Sequence, residues 1–280
     1  MKKIAVIGTG IMGHGMAANF LKHGYGVVVW NRDRKKLKFL IQKGAVDADT
    51  PREAAAKADI VFEVTADDES SRTVWFGPDG ILSGARKDSM LISSATLSVS
   101  WVEKLAHECA TQKLAFFDMP LTGGRGGAET GKLVLLVGGD KRKLETLKPV
   151  LSAISEKILY FGKAGSGAKF KLLLNMLQAI HVVAFGEVIK IAKDSGLNLK
   201  AVGDALAERP GGIPTAAAWR SYDKVPKPIN FSVRWIAKDL SYAKAFSGGL
   251  PAPLLDEVLK KYRKAIDEGM GEDDWTIINR

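Results

Sequence analysis

The chain has 280 residues, 46% of them hydrophobic and 26% charged, and a formal net charge of +10. This is the composition of an ordinary soluble globular protein, and the single cysteine, Cys109, excludes an internal disulfide and an all-cysteine metal site. Lys and Arg are spread along the whole chain with no basic tail and no basic–aromatic alternation, which favours attraction of small anions over nucleic acid.

The four histidines, His14, His23, His107 and His181, show no HxxxH or HExxH spacing, so no metal site is expected. The first strand is expected to begin at residue 3, so no signal or transit peptide is expected. With one cysteine in addition, a reducing, cytoplasmic setting is expected.

The chain opens on Ile4-Ala5-Val6-Ile7-Gly8-Thr9-Gly10-Ile11-Met12-Gly13. The β-branched run predicts a buried strand, the glycines a sharp turn, and Met12, Met16 and Phe20 an amphipathic helix. Gly8 permits the turn, Gly10 lets a pyrophosphate approach the backbone, and Gly13 lets the helix pack close on the strand. The first-turn N–H groups, from Thr9 through Ile11 and Met12 onward, then face the phosphates.

The second strand, Val27–Asn31, ends on Asn31-Arg32-Asp33. An NAD-preferring site places a carboxylate here for the ribose 2′-hydroxyl, whereas Arg32 can clamp a 2′-phosphate with two hydrogen bonds. NADP(H) is therefore expected over NAD(H). Asp33 is expected to cap the helix that starts near Arg34.

Further strands are predicted at Asp59–Val64, Ser89–Ser93, Leu114–Asp118, Leu133–Gly138 and Ile158–Phe161. Helices are predicted at Pro51–Lys57, Ser100–Thr111 and Lys141–Ala153, with Ser100 and Glu103 at capping-box spacing. Such alternation predicts an α/β, doubly wound, mostly parallel sheet of Rossmann type over residues 1–162. Ligands of such sheets bind beyond the strand carboxyl ends, where Thr65, Ala66 and Thr96 would lie. Asp118-Met119-Pro120-Leu121-Thr122-Gly123-Gly124-Arg125-Gly126-Gly127 reads as a glycine-rich loop whose N–H groups, with the Thr122 hydroxyl, could form a carboxylate nest; a mobile surface loop is the plainer alternative.

Residues 163–280 read as an all-α domain entered by a long helix from about Ala168 to Asp194, stopped near Gly196. Its apolar core, Leu172–Gly186, is too short to span a bilayer and reads as a buried helix, so no membrane partner is expected. Helices at Lys200–Glu208, Lys238–Ser247 and Pro253–Glu268 follow, with a Pro/Gly-rich break at Arg209–Pro214. Lys171 and Asn175 are four apart, on one helix face. Burial and the helix dipole would both lower the pKa of that lysine, suiting it to give and take a proton at an alkoxide; a snorkelling lysine is the alternative. Lys169 is a rival whose side chain points away from Asn175. Lys238-Asp239 is either a structural salt bridge or a pair in which Lys238 reaches cofactor or substrate.

Four ordered motifs together resemble the β-hydroxyacid dehydrogenase family. They are Gly8–Gly13 continuing to Met16-Ala17-Ala18-Asn19, Asp118–Gly124, Gly165–Lys171 with Asn175, and Phe231 leading to Lys238-Asp239-Leu240. The resemblance implies Lys171 as acid/base and Asn175 as its partner. It also implies carboxylate anchoring by Thr122, Gly123 and Gly124, ligand contacts from Thr96, Phe231 and Lys238, and a homodimer or homotetramer. Thr122 stands where serine is usual, and Leu174 where a second asparagine often stands; Met119 and Leu121 are bulkier than usual. The expected substrate is a small carboxylate-bearing aldehyde or hydroxy acid, and Arg125 could bind a second carboxylate or simply face solvent. Imine reduction and non-catalytic dinucleotide binding are the rival readings.

Overall fold

The β-branched runs of the first half form strands, and the segments between them form helices capped by short polar side chains. The computed structural model describes residues 2–208, 213–222, 224, 226–249 and 251–279. The chain begins β1 (Lys3–Ile7), α1 (Ile11–Lys22), β2 (Gly26–Trp30), α2 (Lys38–Gln42), β3 (Val46–Asp47), α3 (Pro51–Ala56) and β4 (Ile60–Glu63). It continues through α4 (Asp68–Trp75), α5 (Ile81–Gly84), β5 (Met90–Ser93), α6 (Val99–Thr111), β6 (Ala115–Asp118), β7 (Leu121–Thr122) and α7 (Gly124–Thr130). Then come β8 (Leu133–Gly139), α8 (Lys141–Leu151), β9 (Ser155–Gly162), α9 (Ser166–Asp194), α10 (Leu199–Ala207), α11 (Ile213–Arg220), α12 (Val233–Phe246) and α13 (Pro253–Ala265). By contact the chain forms two compact units, Met1–Lys171 and Leu172–Arg280.

In the first unit the sheet order is β3-β2-β1-β4-β5-β6-β8-β7, with β9 paired to β8. Pairing from β3 to β6 is parallel, and β8 runs antiparallel to β6 and β7. The order turns back at β1, so the crevice beyond β1 and β4 is the topological switch point. Register places the last residues of five strands in one row: Trp30, Ile7, Glu63, Ser93 and Asp118.

Alternation along the strands builds a core on each sheet face. Ile4, Val6, Ile60 and Phe62 pack with Met16 and Phe20 of α1 and Leu144 and Leu147 of α8. Ala5, Ile7, Val61 and Leu91 pack with Ala54 and Ala55 of α3, Trp75 of α4, and Trp101 and Leu105 of α6. The doubly wound α/β arrangement is therefore present.

Some local expectations shift. Asp33 does cap the turn at Arg34, accepting the Lys35 N–H. Helix α6 starts earlier than expected: Ser98, not Ser100, is its N-cap and accepts from Trp101 N. The glycine-rich segment is not a loop throughout but contributes β7 and α7. Helix α12 begins a turn earlier than expected, capped by Ser232. Of the predicted break Arg209–Pro214, residues 209–212 lie outside the described residues, and Ile213 opens α11.

In the second unit Val182, Phe185 and Ile189 of α9 pack against Ala218, with Trp219 at the margin. Helix α9 is 29 residues long, so by length and composition it is able to cross a membrane, contrary to the shorter span expected; 39% of its most apolar window is buried. A soluble core helix passes the same test. Leu173, Leu177, Val188 and Ile191 of α9 are exposed.

Candidate active site

The turn after β1 matches a phosphate cradle. Gly8 has φ +97°, and a Cβ there would strike the Val64 carbonyl oxygen. A Cβ on Gly13 would strike the Gly8 carbonyl oxygen, whereas one on Gly10 would enter open space. Gly10 is the N-cap of α1, with no side-chain cap and no acidic residue in the first turn, so these N–H groups keep their attraction for an anion. Thr9 donates its N–H to Asn31 Oδ1 at 3.0 Å, while its buried Oγ1 has no hydrogen-bond partner. Ile11 is exposed and Met12 half-buried at the helix start. The residues present therefore fit a bound dinucleotide.

At the end of β2, Asn31 is half-buried and Arg32 exposed. The next arginine, Arg34, is engaged by Asp47 and, at 2.9 Å, by Asp49. Among the described residues no carboxylate is ion-paired with Arg32.

Thr65 and Ala66 lead from β4 into α4, and Thr96 follows β5 by three residues. Thr65 is held by Glu63 through its backbone N–H at 3.1 Å and its hydroxyl. The Ala66 N–H donates to Ser70 Oγ at 3.3 Å. Asp68 accepts from Ser98 N at 2.9 Å and Ser98 Oγ at 2.5 Å, fastening the β4 loop to the β5 loop around Thr96.

Thr122 ends β7, and Gly123 and Gly124 take φ values of +121° and +59° at the junction with α7. Helix α7 lies on α1, because Gly15 lacks a Cβ that would meet Ala128 and because Asn19 Nδ2 donates to Ala128 O at 2.8 Å. Arg125 lies 3.6 Å from Glu129, and its buried Nε has no hydrogen-bond partner.

Asp118, at the end of β6, fixes the start of α9. Its Oδ1 accepts from Gly165 N and its Oδ2 from Ala168 N, both at 2.7 Å. Burial pushes this carboxyl above the usual range against the pull of those N–H groups. A carboxyl thus already meets the positive end of the helix that carries Lys171. One turn on, Lys171 is half-buried and Asn175 buried. Asn175 Nδ2 donates to Asp239 Oδ2 at 2.6 Å, and Asp239 Oδ1 lies 2.9 Å from Lys238 Nζ. Lys238 also lies over the rings of Trp235 (5.5 Å) and Tyr242 (5.3 Å). Phe231 precedes α12 and meets Trp275 edge to face. The rival Lys169 is ion-paired with Glu103 at 2.9 Å.

Sequence reasoning gave no role to Glu63, and none to Asp118 beyond membership of a motif. The available signal was a carboxylate closing an apolar strand run, Ile60-Val61-Phe62-Glu63 and Phe116-Phe117-Asp118.

A family model of the NAD binding domain of 6-phosphogluconate dehydrogenase matches residues 3–162. A second, described as NAD-binding of NADP-dependent 3-hydroxyisobutyrate dehydrogenase, matches residues 165–280. The uncharacterized oxidoreductase YfjR of Bacillus subtilis is 33% identical over 99% of this chain and 98% of its own length. Mycobacterium tuberculosis 3-hydroxyisobutyrate dehydrogenase, solved with L-serine, superposes with a TM-score of 0.87 at 28% identity, covering 100% of this chain and 98% of that one. Psf3, solved with NADP+ and 2-OPP, has the same fold, with a TM-score of 0.89 at 24% identity over 99% and 98% of the two chains. With a phosphate cradle on the first unit and both halves matched in order, the chain belongs to the β-hydroxyacid dehydrogenase family, whose members are nicotinamide-dinucleotide oxidoreductases acting on hydroxy acids.

Proposed function

We propose that this chain is an NADP(H)-dependent reductase of small aldehyde acids, running reversibly as a hydroxyacid dehydrogenase, with Lys171 as its general acid/base. One observation carries the reading: Lys171 stands one turn before Asn175, whose amide is pinned by the same buried carboxylate that holds Lys238. The dinucleotide supplies or accepts the hydride. Lys171 gives a proton to the carbonyl oxygen in reduction and removes it from the hydroxyl in oxidation. Asn175 orients the oxygen or the lysine. Thr122, Gly123 and Gly124 anchor the substrate carboxylate, with Thr96, Phe231 and Lys238 lining the ligands. Arg125 would receive a second carboxylate in exchange for its loose pairing with Glu129.

For the cofactor, Gly8 to Gly13 hold the pyrophosphate, and Thr65 and Ala66 flank it. The preference for NADP(H) rests on Arg32. That arginine is exposed and not ion-paired among the described residues, it follows an asparagine rather than a carboxylate, and its neighbour Arg34 is already engaged. The domains are read as 1–162 for the dinucleotide and 163–280 for substrate and self-association. The exposed apolar residues of α9 support a homodimer or homotetramer.

The test is Lys171→Ala, with turnover followed on a panel of semialdehydes and glyoxylate. Expected is a fall in kcat of roughly 10²–10⁴-fold with dinucleotide affinity retained. Activity within tenfold of the parent removes Lys171 from the mechanism. Arg32→Glu is expected to abolish the preference for NADPH over NADH, and an unchanged ratio overturns the cofactor assignment.

A further inference from the structure

We infer that Glu63 is a positioning residue of the dinucleotide crevice, its buried carboxyl bracing the turn after β4 at Thr65 against the end of β5 at Ser93. The inference rests on the first unit binding a dinucleotide, as proposed above.

Glu63 is fully buried at the end of β4, in the strand-end row beside the switch point. A carboxyl there loses its hydration, and among the described residues no ion pair with it compensates. Neutral donors converge on it instead. Thr65 gives its N–H to Oε1 at 3.1 Å and its hydroxyl to the same oxygen. Ser93 gives its hydroxyl to Oε2 at 2.7 Å. The Trp75 indole faces the carboxyl as well, without completing a hydrogen bond. Such a group carries no net attraction that a well-packed apolar side chain would lack, so stability alone does not account for it. What it does supply is direction, tying two loops that leave neighbouring strands.

The consequence reaches the phosphate cradle through one residue. Val64 lies between the bracing carboxyl and its partner Thr65. The Val64 N–H donates to Ile7 O at 2.8 Å, just before Gly8. A Cβ on Gly8 would collide with the Val64 carbonyl oxygen, and a Cβ on Gly13 would lie 3.4 Å from Val64 Cβ. Val64 is thus the wall against which both cradle glycines pack. Releasing Thr65 frees that wall to shift into or away from the turn that receives the pyrophosphate. The second tie, Asp68 to Ser98, holds the far end of the same loop, while Glu63 takes both the N–H and the hydroxyl of Thr65 next to Val64.

The experiment compares Glu63→Ala, Glu63→Gln and Ser93→Ala with the parent chain. It measures Kd for NADPH and NADH by titration, KM and kcat with the best substrate of the panel, and Tm. Glutamine keeps an acceptor toward Thr65 and places an amide toward Ser93. Glu63→Ala is expected to raise dinucleotide Kd and KM by about tenfold or more, with a smaller effect on kcat. Glu63→Gln is expected to return Kd to within about threefold of the parent, and Ser93→Ala to raise it about threefold. If Glu63→Ala lowers Tm yet keeps the parent Kd, or if Glu63→Gln is as impaired as alanine, the inference is overturned. Where Glu63→Ala does not fold, Ser93→Ala decides, and a parental Kd in that variant overturns the inference. A parent chain that binds neither dinucleotide overturns the underlying reading and this inference with it; a parent that binds, beside a Glu63→Ala that binds equally, overturns this inference alone.

Discussion

In the unit Met1–Lys171 the buried carboxyls of Glu63 and Asp118 face neutral donors, the backbone N–H groups and hydroxyls of the loops that leave the strand ends. In the unit Leu172–Arg280 the buried Asp239 faces an ammonium and a side-chain amide. The first arrangement shapes a backbone path, because each donor belongs to, or sits beside, a turn or helix start whose course it fixes. The second presents side chains, because what it holds are the Asn175 amide and the Lys238 ammonium, the groups proposed above to meet the ligands. One kind of residue thus braces backbone in the first unit and holds side chains in the second. Its partners decide which, since a charge pair gains from the low dielectric of the interior, whereas a buried carboxyl met by neutral donors is pushed by desolvation toward its protonated form against the pull of those donors.

The contrast can be broken most sharply at Asp239. Asp239→Ala leaves the buried Asn175 amide without its acceptor and the half-buried Lys238 ammonium without its ion-pair partner, so a loss of about 3–5 kcal/mol is expected. Activity should fall with it, and Asp239→Asn, which keeps one acceptor, should fall between. Thermal unfolding and kcat/KM read together check this; an alanine variant with parental values of both would make the pair idle. Asp118→Ala should follow, at about 2–4 kcal/mol, because the Gly165 and Ala168 N–H groups lose their acceptor at the start of α9. Urea unfolding measures that loss, and a midpoint equal to the parent would mean that water replaces the carboxyl there.

The smallest effect is the most diagnostic of the two carboxyl settings. Burial raises the Glu63 carboxyl above its ordinary value. The folded state therefore holds that proton more tightly than the unfolded chain, and the associated stability is full below the ordinary glutamate range and is lost as pH rises through the folded value. Glu63→Gln does not titrate. It should match the parent in Tm at acid pH and exceed it modestly in mildly alkaline buffer, and a difference that stays constant with pH would mean that the carboxyl is not strained by burial.

Much of this was legible in the residues. The β1–α1 turn could be read because strand, glycines and helix are consecutive, and local sterics alone demand glycine at Gly8 and Gly13. Lys171 and Asn175 could be paired because helical periodicity places them one turn apart whatever surrounds them. Strands β3 and β7 escaped, since two-residue strands have no alternation to detect. The capping box at Ser100 misled because Ser98, two residues earlier, offers the same hydroxyl and reaches Trp101 N. The segment Gly123–Gly127 looked like an open loop, yet packing of α7 on α1 makes most of it helical.

By itself the sequence determined the alternating α/β order, the glycine cradle and the spacing of the lysine and asparagine, all of which follow from local periodicity and backbone sterics. Only the tertiary structure decided which polar residues would be buried together. Glu63 meets Ser93, Asp118 meets Gly165 and Ala168, and Asp239 meets Asn175 through contacts between residues 30 to 64 positions apart. Such partners are chosen by strand register and helix packing, which no local window of sequence contains.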